Sequence, residues 1–233
     1  MTEPQVLATT NKIFQAIFGR DNPYSLEKLK AKFAFDIILP TKVQDSTTGE
    51  DTWTVLPNAE LYITDHNSSK RDEQLSWLRP QKPVHNLKEL LSAWQEINYI
   101  ATERVYDSEN VSASDPIYNS TNVYNSTNCG ECKNIIFCDG TYRSEFSIGC
   151  QRSNTVNFCI RADDSNACTN SYNVICSGKI SNSMFIQDCG SLHECIFCSH
   201  ISNHEYCIAN MQYSQQEYFY LKEQIINWVF SDI

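Results

Sequence analysis

The sequence predicts an α+β N-terminal domain followed by a narrow parallel β-solenoid and a C-terminal capping helix. Three observations carry this reading. All eleven cysteines lie between Cys129 and Cys207, whereas all four tryptophans (Trp53, Trp77, Trp94, Trp228) lie outside that window. Ten of the eleven cysteines fall at residue numbers divisible by three, where independent placement would put only about a third, so a repeat sets their positions. Amphipathic helical patterns flank the repeat on both sides. The boundaries that follow are 1–105 for the α+β domain, 106–212 for the solenoid and 213–233 for the helix.

In the first region, Val6, Leu7, Ile13, Phe14, Ile17 and Phe18 form one face of a helix that stops near Asn22-Pro23. Ser25 is placed to cap a second helix with Leu26, Leu29 and Phe33 inside. FDIILP (35–40) reads as a strand. The run from Thr41 to Leu56 reads as a hairpin turning at Thr48-Gly49, and ELYIT (60–64) as another strand. Residues 66–83 carry charges, prolines and no period, which predicts a long loop. Asn86 and Glu89 form a capping pair ahead of an amphipathic helix built on Leu87, Leu90, Leu91, Trp94 and Ile97. Chemistry is thin here. The neighbours Asp65 and His66, and the isolated His85, lack the partners of a catalytic constellation. No phosphate-cradling glycine loop or nucleophile elbow occurs.

From Ile117 to Cys207, every third position is Cys, Ser, Thr, Ala, Val, Ile or Leu, save His204. A buried column of small side chains has this composition. Cutting every twelve residues aligns the columns: CGECKNIIFCDG begins one unit, and the preceding IYNSTNVYNSTN is the same register starting. About eight such units predict a narrow β-solenoid roughly 35 Å long, with rungs joined by parallel ladders. An 18-residue coil also fits a period of three. Column two, with Gly130, Asn154, Asn166, Gly178 and Gly190, is the expected place for positive φ at a turn. Interior serine hydroxyls are expected to bond turn carbonyls.

Column eight lies outside the inward phase, yet it reads Tyr124, Ile136, Ile148, Ile160, Tyr172, Met184, Ile196 and Ile208. Such an apolar row either packs on the N-terminal domain or the C-terminal helix, or forms a contact stripe for another protein or subunit. Phe137, Phe185 and Phe197 widen it. After the repeat, a Ser214/Glu217 capping box opens a helix with Tyr218, Leu221, Ile225, Ile226 and Val229 on one side. It is expected to cap the last coil against edge-to-edge pairing, with the N-terminal domain protecting the other end.

The two C-x2-C pairs, Cys129/Cys132 and Cys195/Cys198, lie about 25 Å apart in a solenoid and cannot share an ion. A local zinc alternative is Cys195, Cys198, His204 and Cys207, though its spacing misses the usual knuckle and all four lie in the inward phase. Disulfides Cys132–Cys138 and Cys189–Cys195 are sterically conceivable, but thiols are expected without an oxidising compartment. A catalytic cysteine would need a base such as His193, His200 or His204, and nothing marks one cysteine as activated.

The 28 acidic and 18 basic residues give a formal charge of −10, which argues against direct nucleic-acid binding. No apolar run suits a membrane span, and MTEPQVLATTNKIF has no signal-peptide pattern.

Inward small residues in coils of twelve are similar to the insect antifreeze solenoids, a resemblance that implies a right-handed coil. Their flat Thr-x-Thr ice-binding row is missing. The tail from Cys195 to Tyr218 resembles a signature in Cys/Asn-rich repeat proteins of tailed phages and candidate-phyla bacteria. The matching residues are Cys195, Cys198, Asn203, Tyr206, Cys207, Ile208, Asn210, Tyr213, Ser214, Glu217 and Tyr218. That resemblance implies a viral setting and brings no activity with it. The expectation is a non-enzymatic structural protein without cofactors, made in the host cytoplasm and carried in the virion. It would bind another virion protein or copies of itself. A zinc-binding intracellular regulator and a thiol enzyme are the alternatives.

Overall fold

A period of three arises when each turn of a coil has four sides of three residues. In the computed structural model, which describes residues 1–73 and 77–231, about nine turns of twelve residues run from 105 to 208. Successive turns are parallel and twelve residues out of step, with Val105 opposite Ile117, Ile117 opposite Cys129 and Cys195 opposite Cys207. On each side the residue at a multiple of three points into the tube and the next points out. The third turns the corner with positive φ.

Corner residues Asn119, Asn122, Asn125 and Asn128 have φ between 42° and 58°, and the pattern continues through Phe137, Phe158, Cys176 and Phe197. Positive φ thus occupies columns three, six, nine and twelve, not column two. Each such residue costs about 1–2 kcal/mol unless it is Gly, or Asn or Asp with its short polar side chain. Like residues therefore stack on successive rungs. Asn110, Asn122 and Asn134 form an amide ladder with bonds of 2.7 and 2.9 Å, while Phe146 and Phe158 stack 4.5 Å apart.

Every buried amide needs an acceptor, and the three amides of a side are satisfied in three different ways. The outward residue donates to the next rung, as Thr121 N does to the Cys132 carbonyl at 2.9 Å. The corner residue donates to the previous rung, as Phe137 N does to the Tyr124 carbonyl at 3.1 Å. The inward residue's N–H points into the tube, where on many rungs a Ser or Cys side chain accepts it. Ser126 Oγ accepts from Cys138 N at 3.0 Å and donates to the Tyr124 carbonyl at 2.9 Å. Cys138 Sγ in turn accepts from Cys150 N at 3.3 Å, and Cys150 Sγ from Ala162 N at 3.3 Å. The interior is rich in Ser and Cys for hydrogen bonding as well as for size.

Three helices cover one flank of the tube: α1 (Glu3–Phe18), α2 (Leu26–Phe33) and, near the C-terminus, α5 (Gln215–Val229). Phe14, Phe33, Tyr218 and Ile226 share a single core with Ile136, Ile148, Ile160 and Ile196 of column eight. The first helices are therefore part of the solenoid's packing and not of a separate N-terminal core. Gly149 occupies the corner where α2 comes closest; a Cβ there would lie 2.0 Å from the Phe33 carbonyl oxygen. Asp36 clamps the Arg161 guanidinium through both oxygens at 2.9 and 2.8 Å, and Phe35 lies beneath it at 4.3 Å. FDIILP is consequently a turn and extended linker with no strand, because its side chains are used singly in this clamp and in the core through Ile37 and Leu39.

The remaining N-terminal elements are β1 (Thr41–Gln44), β2 (Asp51–Thr54), β3 (Leu61–Thr64), α3 (Asp65–Glu73), α4 (Leu87–Gln95) and β4 (Tyr99–Thr102). β1 and β2 form the expected hairpin, and β3 pairs in parallel with β4. The fully buried Asp45 ties them together. Its carboxylate accepts from Thr47 N, Thr64 N and Asn67 Nδ2 at 2.7–2.9 Å. Burial raises its pKa, but these bonds and the Thr47 hydroxyl outweigh that and hold it well below the usual carboxylate range. α3 replaces the first half of the expected loop. Thr64 Oγ1 caps it through Asn67 N at 3.2 Å, and its lack of apolar period hid it from sequence reading. Residues 74–76 of that loop lie outside the described residues.

α5 packs on the last rung, where Tyr206 meets Tyr218 and Phe219 at 5.5 and 6.1 Å. It lies along the flank, pinned by Lys222 to Glu194 at 2.7 Å, because its apolar side buries against column eight. The last rung is also met by Met211–Gln212 turning back antiparallel on Cys207–Ile208. The first rung is left partly open, around a space of about 350 Å³ lined by Glu103, Val105, Ser108 and Asn110.

Ser126→Ala removes the acceptor of the Cys138 amide. It should cost about 1–3 kcal/mol in denaturant unfolding, whereas Ser126→Cys, which keeps an acceptor as Cys138 does one rung later, should cost less.

Candidate functional site

Column eight, the candidate contact stripe, is covered. Ile136, Ile148, Ile160, Met184 and Ile196 are buried under the helices, with Tyr172 and Ile208 beside them and Tyr124 half-buried. This row offers no free surface to another protein, because the chain's own α1, α2 and α5 occupy it. Its widening residue Phe197 is exposed, stacked on the half-buried Phe185 at 4.7 Å and flanked by Trp228.

The inward cysteines are structural acceptors and donors. Cys195 Sγ donates to the carbonyls of His193 and His204 at 3.4 and 3.6 Å, and Cys198 Sγ to those of Ile196 and Cys207 at 3.4 and 3.6 Å. His204 shares the inward phase but is exposed, since its rung ends the tube. Cys195, Cys198, His204 and Cys207 are thus not gathered around a common point. Among the described residues no three His, Cys, Asp or Glu side chains stand close enough to hold a metal ion. All eleven cysteines are free thiols, including Cys132, Cys138, Cys189 and Cys195 of the conceivable disulfides. Ten are buried; Cys176, the one out of phase, sits on a corner and is exposed.

Of the candidate bases, His200 faces Asp188 at 3.8 Å on the surface, and His193 Nδ1 lies 2.9 Å from Ser181 Oγ. Ser181 and His193 are successive members of an outward column that continues to Glu205. The order Ser, His, Glu invites a hydrolytic reading. The column lies at the surface, with Ser181 half-buried and His193 and Glu205 exposed to water, whereas such chemistry needs a water-excluded site with amides converging on the oxyanion. Asp65 begins α3 and accepts from the Tyr106 hydroxyl at 3.3 Å, and His85 N bonds Glu89 next to the α4 cap; neither joins a constellation.

An uncovered apolar row lies on α4. Asn86 Oδ1 caps it through Glu89 N at 3.0 Å, as the sequence predicted. None of its residues is buried, and Leu87, Leu90, Leu91 and Trp94 are 68, 55, 49 and 53% exposed. Sequence periodicity found this helix but implied a buried face. Among the described residues, no helix is long and apolar enough to cross a membrane.

Two outcomes follow from the thiol geometry. In the native state Cys176 should alkylate rapidly and the other ten only on unfolding, read by mass spectrometry of peptides; a second fast site would point to an activated thiol. Burial pushes the Cys129 thiol up to about 12 and Cys168 to about 11, from an ordinary value near 9. The folded chain keeps protons that the unfolded chain releases above pH 9. Stability from these groups is therefore complete below about pH 9 and lost as pH rises toward 11–12, and melting temperatures across that range should fall.

No protein family, curated protein or solved structure matches the chain. Its function is therefore read from its own residues.

Proposed function

We propose that this chain is a non-enzymatic structural and interaction protein, a tailed-phage virion component that binds another virion protein or copies of itself through its N-terminal region. The observation that carries the contact surface is the contrast between two apolar rows. Column eight is sealed by the chain's own helices, whereas the α4 row stands open. Exposed apolar rows of this kind on folded proteins are chiefly association surfaces. The solenoid then serves as a rigid body, each rung braced by hydrogen-bonded neighbours. The viral setting is supported by the tail motif from Cys195 to Tyr218.

The test is peptide mass spectrometry of purified particles combined with a photo-crosslinking residue at position 91. The protein should co-purify with the particle and cross-link to a particle protein. Its absence from particles while abundant in the host lysate would sink the virion reading.

A further inference from the structure

Residues 77–97 form an arm. Apart from Trp77, Ala93 and Ile97, every residue in it is exposed. Its root is aromatic: Trp77 meets the Tyr99 ring edge-on at 5.8 Å, with the Arg71 guanidinium 4.3 Å from the Trp77 ring. The arm also closes on itself, since Arg79 reaches both Glu96 Oε2 and the Ala93 carbonyl at 2.6 Å. A capped helix of nine residues is too short to hold together in water by backbone bonding alone. Its apolar face needs cover.

We propose that the cover is the same face of a second copy, the two α4 helices packing against each other across a two-fold axis. The proposal rests on reading the N-terminal region as the contact surface, and it names the partner. Leu87, Leu90, Leu91 and Trp94 follow the i, i+3, i+4, i+7 spacing of a helix-pairing seam, which is complementary to itself. No charge lies on that seam. Glu89 folds back on the cap through His85 N and Asn86 Nδ2, and Glu96 is held by Arg79. The acidic residues Glu89 and Glu96 are thus engaged within the arm, which favours approach of a copy of net charge −10 on this face.

With a large side chain offering roughly 150–250 Å², these four residues with Leu78 and Val84 expose on the order of 600 Å² per copy. Complete cover of all six on both copies would bury at most about 1,200 Å², the lower bound for a specific interface. Two-fold pairing also closes, so the open face is used up without building a filament.

Sedimentation equilibrium at roughly 100 μM chain, where even a micromolar contact is populated, should give twice the chain mass. Leu90→Glu with Trp94→Glu should weaken the dimer about 30-fold or more. Because both side chains are exposed in the single chain, the solenoid's β signal in circular dichroism should be retained, while α4 helicity and the concentration dependence of melting should be lost with the dimer. In a Cys176→Ser background, Leu91→Cys near the centre of the seam should cross-link to its own copy. A monomeric wild type, a dimer that survives the double variant, or a cross-link to the open apolar groove that Phe197, Leu221 and Trp228 line between the solenoid and α5 would each overturn the proposal. None of these outcomes bears on whether the protein resides in particles.

Discussion

The structure depends on where the inward amide of each three-residue side finds its acceptor. Two of the three amides per side join the parallel ladder, but the third points into a tube only wide enough for small side chains. Ser and Cys meet both demands. Hydroxyls such as that of Ser120, and the thiols of Cys138 and Cys150, accept from the rung above and return their own hydrogen to a carbonyl two residues earlier. The eleven cysteines are therefore mostly a packing and hydrogen-bonding device. A residue that resembles a metal ligand in isolation is, within this lattice, one step of a column.

The same lattice imposes a conformational cost at every corner, and the corner residues show how it is offset. Asn tolerates the left-handed region, which accounts for the asparagines at 119, 122, 125, 128, 170, 173 and 182. Where Phe or Arg takes the corner, its side chain gains something beyond the turn. Phe146 and Phe158 stack, Phe137 packs into the helical flank, and Arg161 grips Asp36. Gly149 is the corner at which nothing but hydrogen fits, because the α2 carbonyl has taken the space. Corner identity thus reports what each rung touches.

Burial divides the apolar residues outside the tube into two groups with different consequences. Column eight and the faces of α1, α2 and α5 are mutually covered, so they contribute to stability, at about 1.5–3 kcal/mol for each fully buried aliphatic side chain. The α4 row has the same composition and periodicity but no cover within the chain. Pattern alone cannot separate the two groups, since a helix destined for a partner and one destined for the core carry the same stripe.

The twelve-residue coil, the inward phase, the capped helices and the hairpin at Thr48-Gly49 were all legible in the sequence, because each is a local rule repeated or punctuated along the chain. The positive-φ columns carry a sequence signal too, in the asparagines two residues after many inward positions, whereas the glycines of column two serve a different place in the coil. Four outcomes required the tertiary structure. These are the sealing of column eight, the flanking position of α5, the use of FDIILP as a clamp and the exposure of α4. Each turns on which of several apolar surfaces meet one another, and that choice is made by segments as much as 207 residues apart, such as Arg20 and Asn227 joined at 2.8 Å. Repetition fixes the rung from within its own twelve residues; only the folded chain decides which face of the stack is covered and which is left open.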